Sequence, residues 1–136
     1  MSVSKPRYVV VSIDDFRARA HEGETKKGVA DKGVWFNAIF GGKTPTKSLN
    51  VGIAWMDPGS ASPVTGFVKH DWEETEYVIS GRGIVECEDK KFDLKPGVAF
   101  YVREDVAHRL INTDDEPLVV LSVYPSTSVK RIPVDL

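Results

Sequence analysis

The chain has 136 residues, 18 basic and 20 acidic side chains and a net charge of −2. That is the size of one domain, and a chain this long buries roughly two-thirds of its unfolded surface, so a core is available. Lys and Arg do not gather on one segment, so no basic nucleic-acid face is indicated. The single cysteine, Cys87, excludes an internal disulfide and fits a reducing cytosol. The first seven residues lack the apolar core of a secretory signal. The longest apolar runs, 51–56 and 118–124, are too short to cross a bilayer. The expectation is a cytoplasmic protein with neither nucleic acid nor membrane as partner.

In chain order, residues 8–12 are a short β-branched run that reads as a strand. Ser12 reads as an N-cap, with Asp14 and Asp15 in the first turn of a short helix through Ala20. Residues 21–33 are polar, hold three glycines and read as a loop, with His21 a solvated side chain at its start. From Val34 the pattern becomes β. Residues 34–40 and 48–56 read as strands, the second closed by the turn Asp57-Pro58-Gly59. Residues 60–66 read as a loop. Residues 75–80 and 84–88 read as a hairpin around Gly81-Arg82-Gly83, followed by a tight turn at Asp89-Lys90. Strands at 91–94, 98–102, 109–113 and 118–124 follow, and residues 125–136 read as an extended tail. Short strands with turn signals about every ten residues, and almost no helix, indicate an antiparallel all-β sandwich or barrel. The expected organisation is one domain over 1–136: an N-terminal arm over 1–33, a barrel over about 34–125 and a tail over 126–136.

Two stretches carry the chemistry. In the first, His70 is followed four positions later by Glu74. If Glu74 opens a strand, Glu74, Glu76 and Val78 share one face, and Thr75, Tyr77 and Ile79 the other. Two carboxylates on a buried face need a cation, a proton or solvent. The second stretch brings His108. Two imidazoles and one carboxylate leave open positions on a divalent metal such as Fe(II), Mn or Zn.

The two stretches resemble the two signature motifs of the cupin superfamily. The first family motif reads Gly, five residues, His-x-His, three or four residues, Glu, six residues, Gly. Glu74 is followed by six residues and Gly81, and three residues separate it from His70, which stands in place of the second histidine. The second motif reads Gly, five residues, Pro-x-Gly, two residues, His, three residues, Asn. Gly97, His108 and Asn112 fall at matching spacings. The resemblance implies a double-stranded β-helix, or jelly-roll barrel, with a short N-terminal helix. It also implies His70, Glu74 and His108 as metal ligands, and an N-terminal strand over 8–12 exchanged in a homodimer. The departures are definite. Val68 stands in place of the first histidine, no glycine aligns with the head of the first motif, and Pro-x-Gly is Arg103-Glu104-Asp105. A second register takes Glu76, six residues before Gly83, as the glutamate; His70 and Trp72 would then fill His-x-His.

Three functions remain open at this stage. One is a metal-dependent dioxygenase, lyase or isomerase acting on an oxygen-rich metabolite, with Glu76 and Tyr101 as proton-transfer groups. Another is a metal-free dehydratase or epimerase using histidine acid–base chemistry. The third is a module that binds a small molecule without turning it over.

Overall fold

The computed structural model describes residues 7–22, 24–25, 32–41, 44, 46–125 and 131–134. Among the described residues, the helix α1 (Ile13–Ala18) and a 3-10 turn (Ala20–Glu22) precede twelve strands. These are β1 (Glu24–Thr25), β2 (Val34–Phe40), β3 (Leu49–Met56), β4 (Ala61–Ser62), β5 (Phe67–His70), β6 (Glu74–Ser80), β7 (Gly83–Cys87), β8 (Lys90–Leu94), β9 (Ala99–Val102), β10 (His108–Ile111), β11 (Leu118–Pro125) and β12 (Arg131–Val134). One sheet runs β1-β2-β3-β11-β6-β9. The other runs β12-β5-β10-β7-β8, with β4 beside β10. All the strand pairs are antiparallel. The all-β jelly-roll expectation is met, short helix included.

The alternation of β11 shows how the sequence builds the layers. Leu118, Val120 and Ser122 turn inward, where Leu118 and Val120 join Val34, Met56, Val78, Val85 and Leu110 in the core between the sheets. The intervening Val119 and Leu121 turn outward. There Val119, Ile39 and Ile53 form a second cluster, packed by Ile13 and Phe16 of α1. A six-residue helix is marginal alone; burial of this outer apolar face holds it in place. Its acidic first turn suits the helix N-terminus.

Five local expectations are corrected. Residues 8–12 form no strand: Tyr8 and Val10 are 82% and 92% exposed, because a β-branched run without a partner edge gains nothing from its propensity. The helix ends at Ala18 rather than Ala20, and the Ser12 hydroxyl makes no cap bond; its carbonyl accepts from the Asp15 N–H instead. The Gly81-Arg82-Gly83 stretch is no hairpin, since β6 pairs with β11 and β9 while β7 pairs with β10 and β8. The chain crosses there from one sheet to the other. Gly81 has φ +85°, and a Cβ on it would collide with the Pro117 carbonyl, as one on Gly83 would with the Ile111 carbonyl. The glycine signal marks close backbone approach. Finally, the expected tail contributes β12, which pairs with β5. The tight turn after β7 falls at Glu88-Asp89, one residue earlier than expected, with Glu88 at φ +55°.

Asn112 clasps the end of the barrel. It is 1% exposed; its Nδ2 donates to the carbonyls of Met56 and Glu116 at 3.0 and 2.9 Å, and its Oδ1 accepts from the Asp114 N–H at 2.9 Å. Among the described residues, no helix is long and apolar enough to cross a membrane.

Candidate metal centre

The site is assembled from both sheets. In β5, Val68 and His70 are two residues apart and turn inward, 2% and 7% exposed. The next three residues, 71–73, carry the chain to the other sheet, where Glu74 opens β6. From the second motif, His108 opens β10, 6% exposed and directly opposite Val68. A turn over 103–106 draws the two histidines together, because the Asp105 N–H donates to the His70 carbonyl at 2.8 Å. Asp105 has φ +65° at the position of the family motif's second glycine. Aspartate is one of the few non-glycine residues found often in that region, so the turn survives the substitution.

His70, Glu74 and His108 each offer a ligand atom, and these atoms lie within 4.8 Å of one another. The His70 Nε2 stands 3.6 Å from the Glu74 Oε2. The His108 Nδ1 lies 2.9 Å from the Val106 carbonyl. A proton on Nδ1 bonded to that carbonyl leaves the Nε2 lone pair for a metal, the usual arrangement of a ligating histidine. Bonds of about 2.1 Å can span donors up to about 4.2 Å apart, and the His70–Glu74 pair at 3.6 Å falls inside that limit. The donor set fits a divalent transition metal. Val68 supplies no fourth donor.

The other expected residues separate. Glu76 is 6% exposed on the same inward face as Glu74, and its Oε1 accepts from the Ser122 hydroxyl at 2.9 Å. It lies outside the ligand group, and Trp72 offers no ligand atom, so the second register assembles no centre. Tyr101 faces the other way. It pairs with Thr75 on the outward side of the first sheet, is 59% exposed and donates to the Glu73 Oε2 at 2.8 Å. That bond, to the carboxylate, raises its phenol above the usual value. His21 is exposed, beside Asp57 at 3.3 Å and against Trp35. Arg109, next to His108 on β10, donates to the carbonyls of Pro63 and Val64. Burial first, and then the charge of Glu88, push the Cys87 thiol up.

Two residues were missed. Trp72 is 7% exposed and stacks on His70 with ring centroids 4.2 Å apart. Tyr124 stacks behind Trp72 at 5.9 Å. Tyr124 also shares with Glu74, Glu73 and Tyr101 a surface recess of about 230 Å³. Burial, and secondarily the Glu74 charge, raise its phenol above the usual value. The period of β11 carried a signal for Tyr124, since it shares the parity of Leu118, Val120 and Ser122. Trp72, in a three-residue link, had none.

Comparison with known proteins agrees with this geometry. Residues 53–124 match the family model described as "Cupin domain". The chain is similar to a glucose-6-phosphate isomerase of Thermococcus onnurineus, 38% identical over 57% of this chain and 47% of that protein. The chain thus spans about half the length of that relative. Among solved structures, it is similar to the DMSP lyase DddQ of Ruegeria pomeroyi, with TM-score 0.72, 17% identity and coverage of 89% of this chain and 66% of that one. It is also similar to the polyketide cyclase RemF of Streptomyces resistomycificus, with TM-score 0.69, 18% identity and coverage of 78% and 74%. At these identities the two structures speak to the fold alone.

Proposed function

The chain belongs to the cupin family, and from that premise we propose that it is a metal-dependent enzyme acting on a small oxygen-rich metabolite bearing a carbonyl, carboxylate or polyol group. The observation that carries this is the convergence of His70, Glu74 and His108 inside the barrel mouth. An iron, manganese or zinc ion held there supplies Lewis acidity toward a substrate oxygen, or an open position for dioxygen. The chain's own residues then divide the work. His70, Glu74 and His108 bind the ion, with His108 held in the ligating tautomer by the Val106 carbonyl. Glu76, oriented by the Ser122 hydroxyl and two residues from Glu74, moves a proton at its carboxylate. Tyr101 is assigned to the outer rim with Glu73 instead of to proton transfer, because it faces outward. A buried carboxylate beside the ligands, together with a curated relative named as an isomerase, favours proton-shuffling isomerase chemistry over oxygen chemistry.

A second reading rests on Val68. With one family ligand replaced by a valine that is 2% exposed, a metal-free dehydratase or epimerase would use His108 or His70 as its base. Elemental mass spectrometry of the purified protein decides between them. The expected result is near-stoichiometric metal that is lost in His108→Ala and retained in Glu76→Gln, the latter with at least a hundredfold lower turnover. No metal in the wild type after reconstitution overturns the first reading and leaves the second.

A further inference from the structure

Trp72 lies within the first motif, between His70 and Glu74, and the proposed function gives it no role. It sits in the middle of the 71–73 link, between two exposed neighbours, yet is itself buried. Its ring lies nearly parallel to the His70 imidazole, at 15° and 4.2 Å between centroids. On the open side, His108 meets the same imidazole edge-on at 4.9 Å and 63°. Tyr124 stacks on Trp72 at 5.9 Å and 30°. Tyr124 belongs to one sheet and His70 to the other, so the indole is wedged between the two sheets at the barrel mouth. Among the described residues, the buried indole N–H has no hydrogen-bond partner. The flat faces of the ring, and not its polar edge, make its defined contacts.

From this geometry we infer that Trp72 is a positioning residue: its indole face, backed by Tyr124, fixes the plane of the His70 imidazole so that Nε2 is presented to the ion beside Glu74. The inference rests on the metal-dependent reading of the site. Its physical basis is that a ligating histidine needs one ring orientation, which a hydrogen bond on the second nitrogen usually supplies. An offset-stacked aromatic face can restrict rotation about the same bond. A slack ring would lose ion affinity without losing the ligand.

Two variants separate the face from the N–H and from simple burial. Trp72→Phe keeps an aromatic face and removes the N–H, whereas Trp72→Leu keeps an apolar filler and removes the face. Binding of Zn(II) and Mn(II) is measured by titration calorimetry on each full-length protein, with thermal melts to establish folding. The expected result is that Trp72→Phe binds within about threefold of wild type and that Trp72→Leu binds about tenfold more weakly or worse, the size of effect seen when groups that orient a ligand are lost. Equal affinity in all three proteins overturns the inference, as does equal weakening in both variants, which would assign the role to the N–H.

A second readout needs no metal. In the ion-free wild type, the His70 ring protons lie over the indole and should be shifted upfield in the NMR spectrum, a shift kept in Trp72→Phe and abolished in Trp72→Leu. An unshifted His70 resonance in the wild type overturns the stacking itself, even if the leucine variant fails to fold. Wild type that shows the shift but binds neither ion refutes the metal reading, and with it a ligand-positioning role, while leaving the stack established.

Discussion

Val68→His tests whether the centre is a metal site with one corner missing. Val68 lies two residues from His70 on the same strand face and directly opposite His108. Cβ atoms of opposed residues lie about 4.5–5.5 Å apart, so an imidazole at 68 falls within reach of the same ion. The position is 2% exposed. Placing a larger, polar ring there without an ion overpacks the core, at a cost of about 2 kcal/mol. With an unfolding entropy near 2.1 cal/mol/K per residue, a chain of 136 residues shifts Tm by about 3.5 °C per kcal/mol. The ion-free variant should therefore melt about 7 °C below wild type.

A fourth donor should tighten binding at least tenfold, or about 1.4 kcal/mol. At saturating ion the variant's Tm should then rise by about 5 °C more than that of wild type, because an ion that binds only the folded state stabilises it in proportion to the logarithm of its affinity. Differential scanning fluorimetry with and without Zn(II) or Mn(II), beside calorimetric affinities, measures both terms. A folded variant with unchanged or weaker affinity would refute the reasoning, since residue 68 would then not face the space shared by the three donors.

Two further expectations concern Asn112, at the end of the barrel, and Cys87, which lies directly opposite His108 between β7 and β10. Asn112→Ala removes three hydrogen bonds at a residue 1% exposed and leaves backbone groups unpaired. It should cost about 3 kcal/mol, or about 10 °C in Tm, and a loss under 1 kcal/mol in urea titrations would show that the clasp carries little. Cys87 has its thiol raised by burial and then by Glu88, so its thiolate fraction at pH 8 is below that of a free thiol. Iodoacetamide should modify it several-fold more slowly than a free thiol at that pH, with the rate climbing as pH rises past 9 and Glu88→Gln accelerating it. Modification at the free-thiol rate would sink this account.

The motif spacings pointed to His70, Glu74 and His108, which the fold brings together, because side chains placed at strand ends keep their distance in sequence from the turns that follow. The inward parity of Glu74 and Glu76 was legible for the same reason: β6 has one clearly apolar phase at Val78. Tyr101 was misplaced because β9, Ala99-Phe100-Tyr101-Val102, is apolar or aromatic at every position and its period names no face. The strands β5 and β12 escaped notice because each has four residues, and β12 contains a proline. Neither has a local signal: β12 is held by pairing with β5, and β5 by pairing with β12 and β10. Gly81-Arg82-Gly83 misled for a different reason. Glycine satisfies a tight hairpin and a close crossing equally well, and only the position of Pro117, far along the chain, tells them apart.

That crossing explains why the centre stands where it does. β6 is entered and left by links between the sheets, 71–73 at its start and 81–82 at its end. Its first residue therefore lies at a seam, with Glu74 on one sheet and His70 and His108 on the other. An ion held by all three ties the two sheets together at the barrel mouth, and Trp72 is wedged into the same seam between Tyr124 and His70. The separations among the three donors depend on the spacing of the sheets there, so an ion that binds only the folded protein would stabilise that end of the barrel.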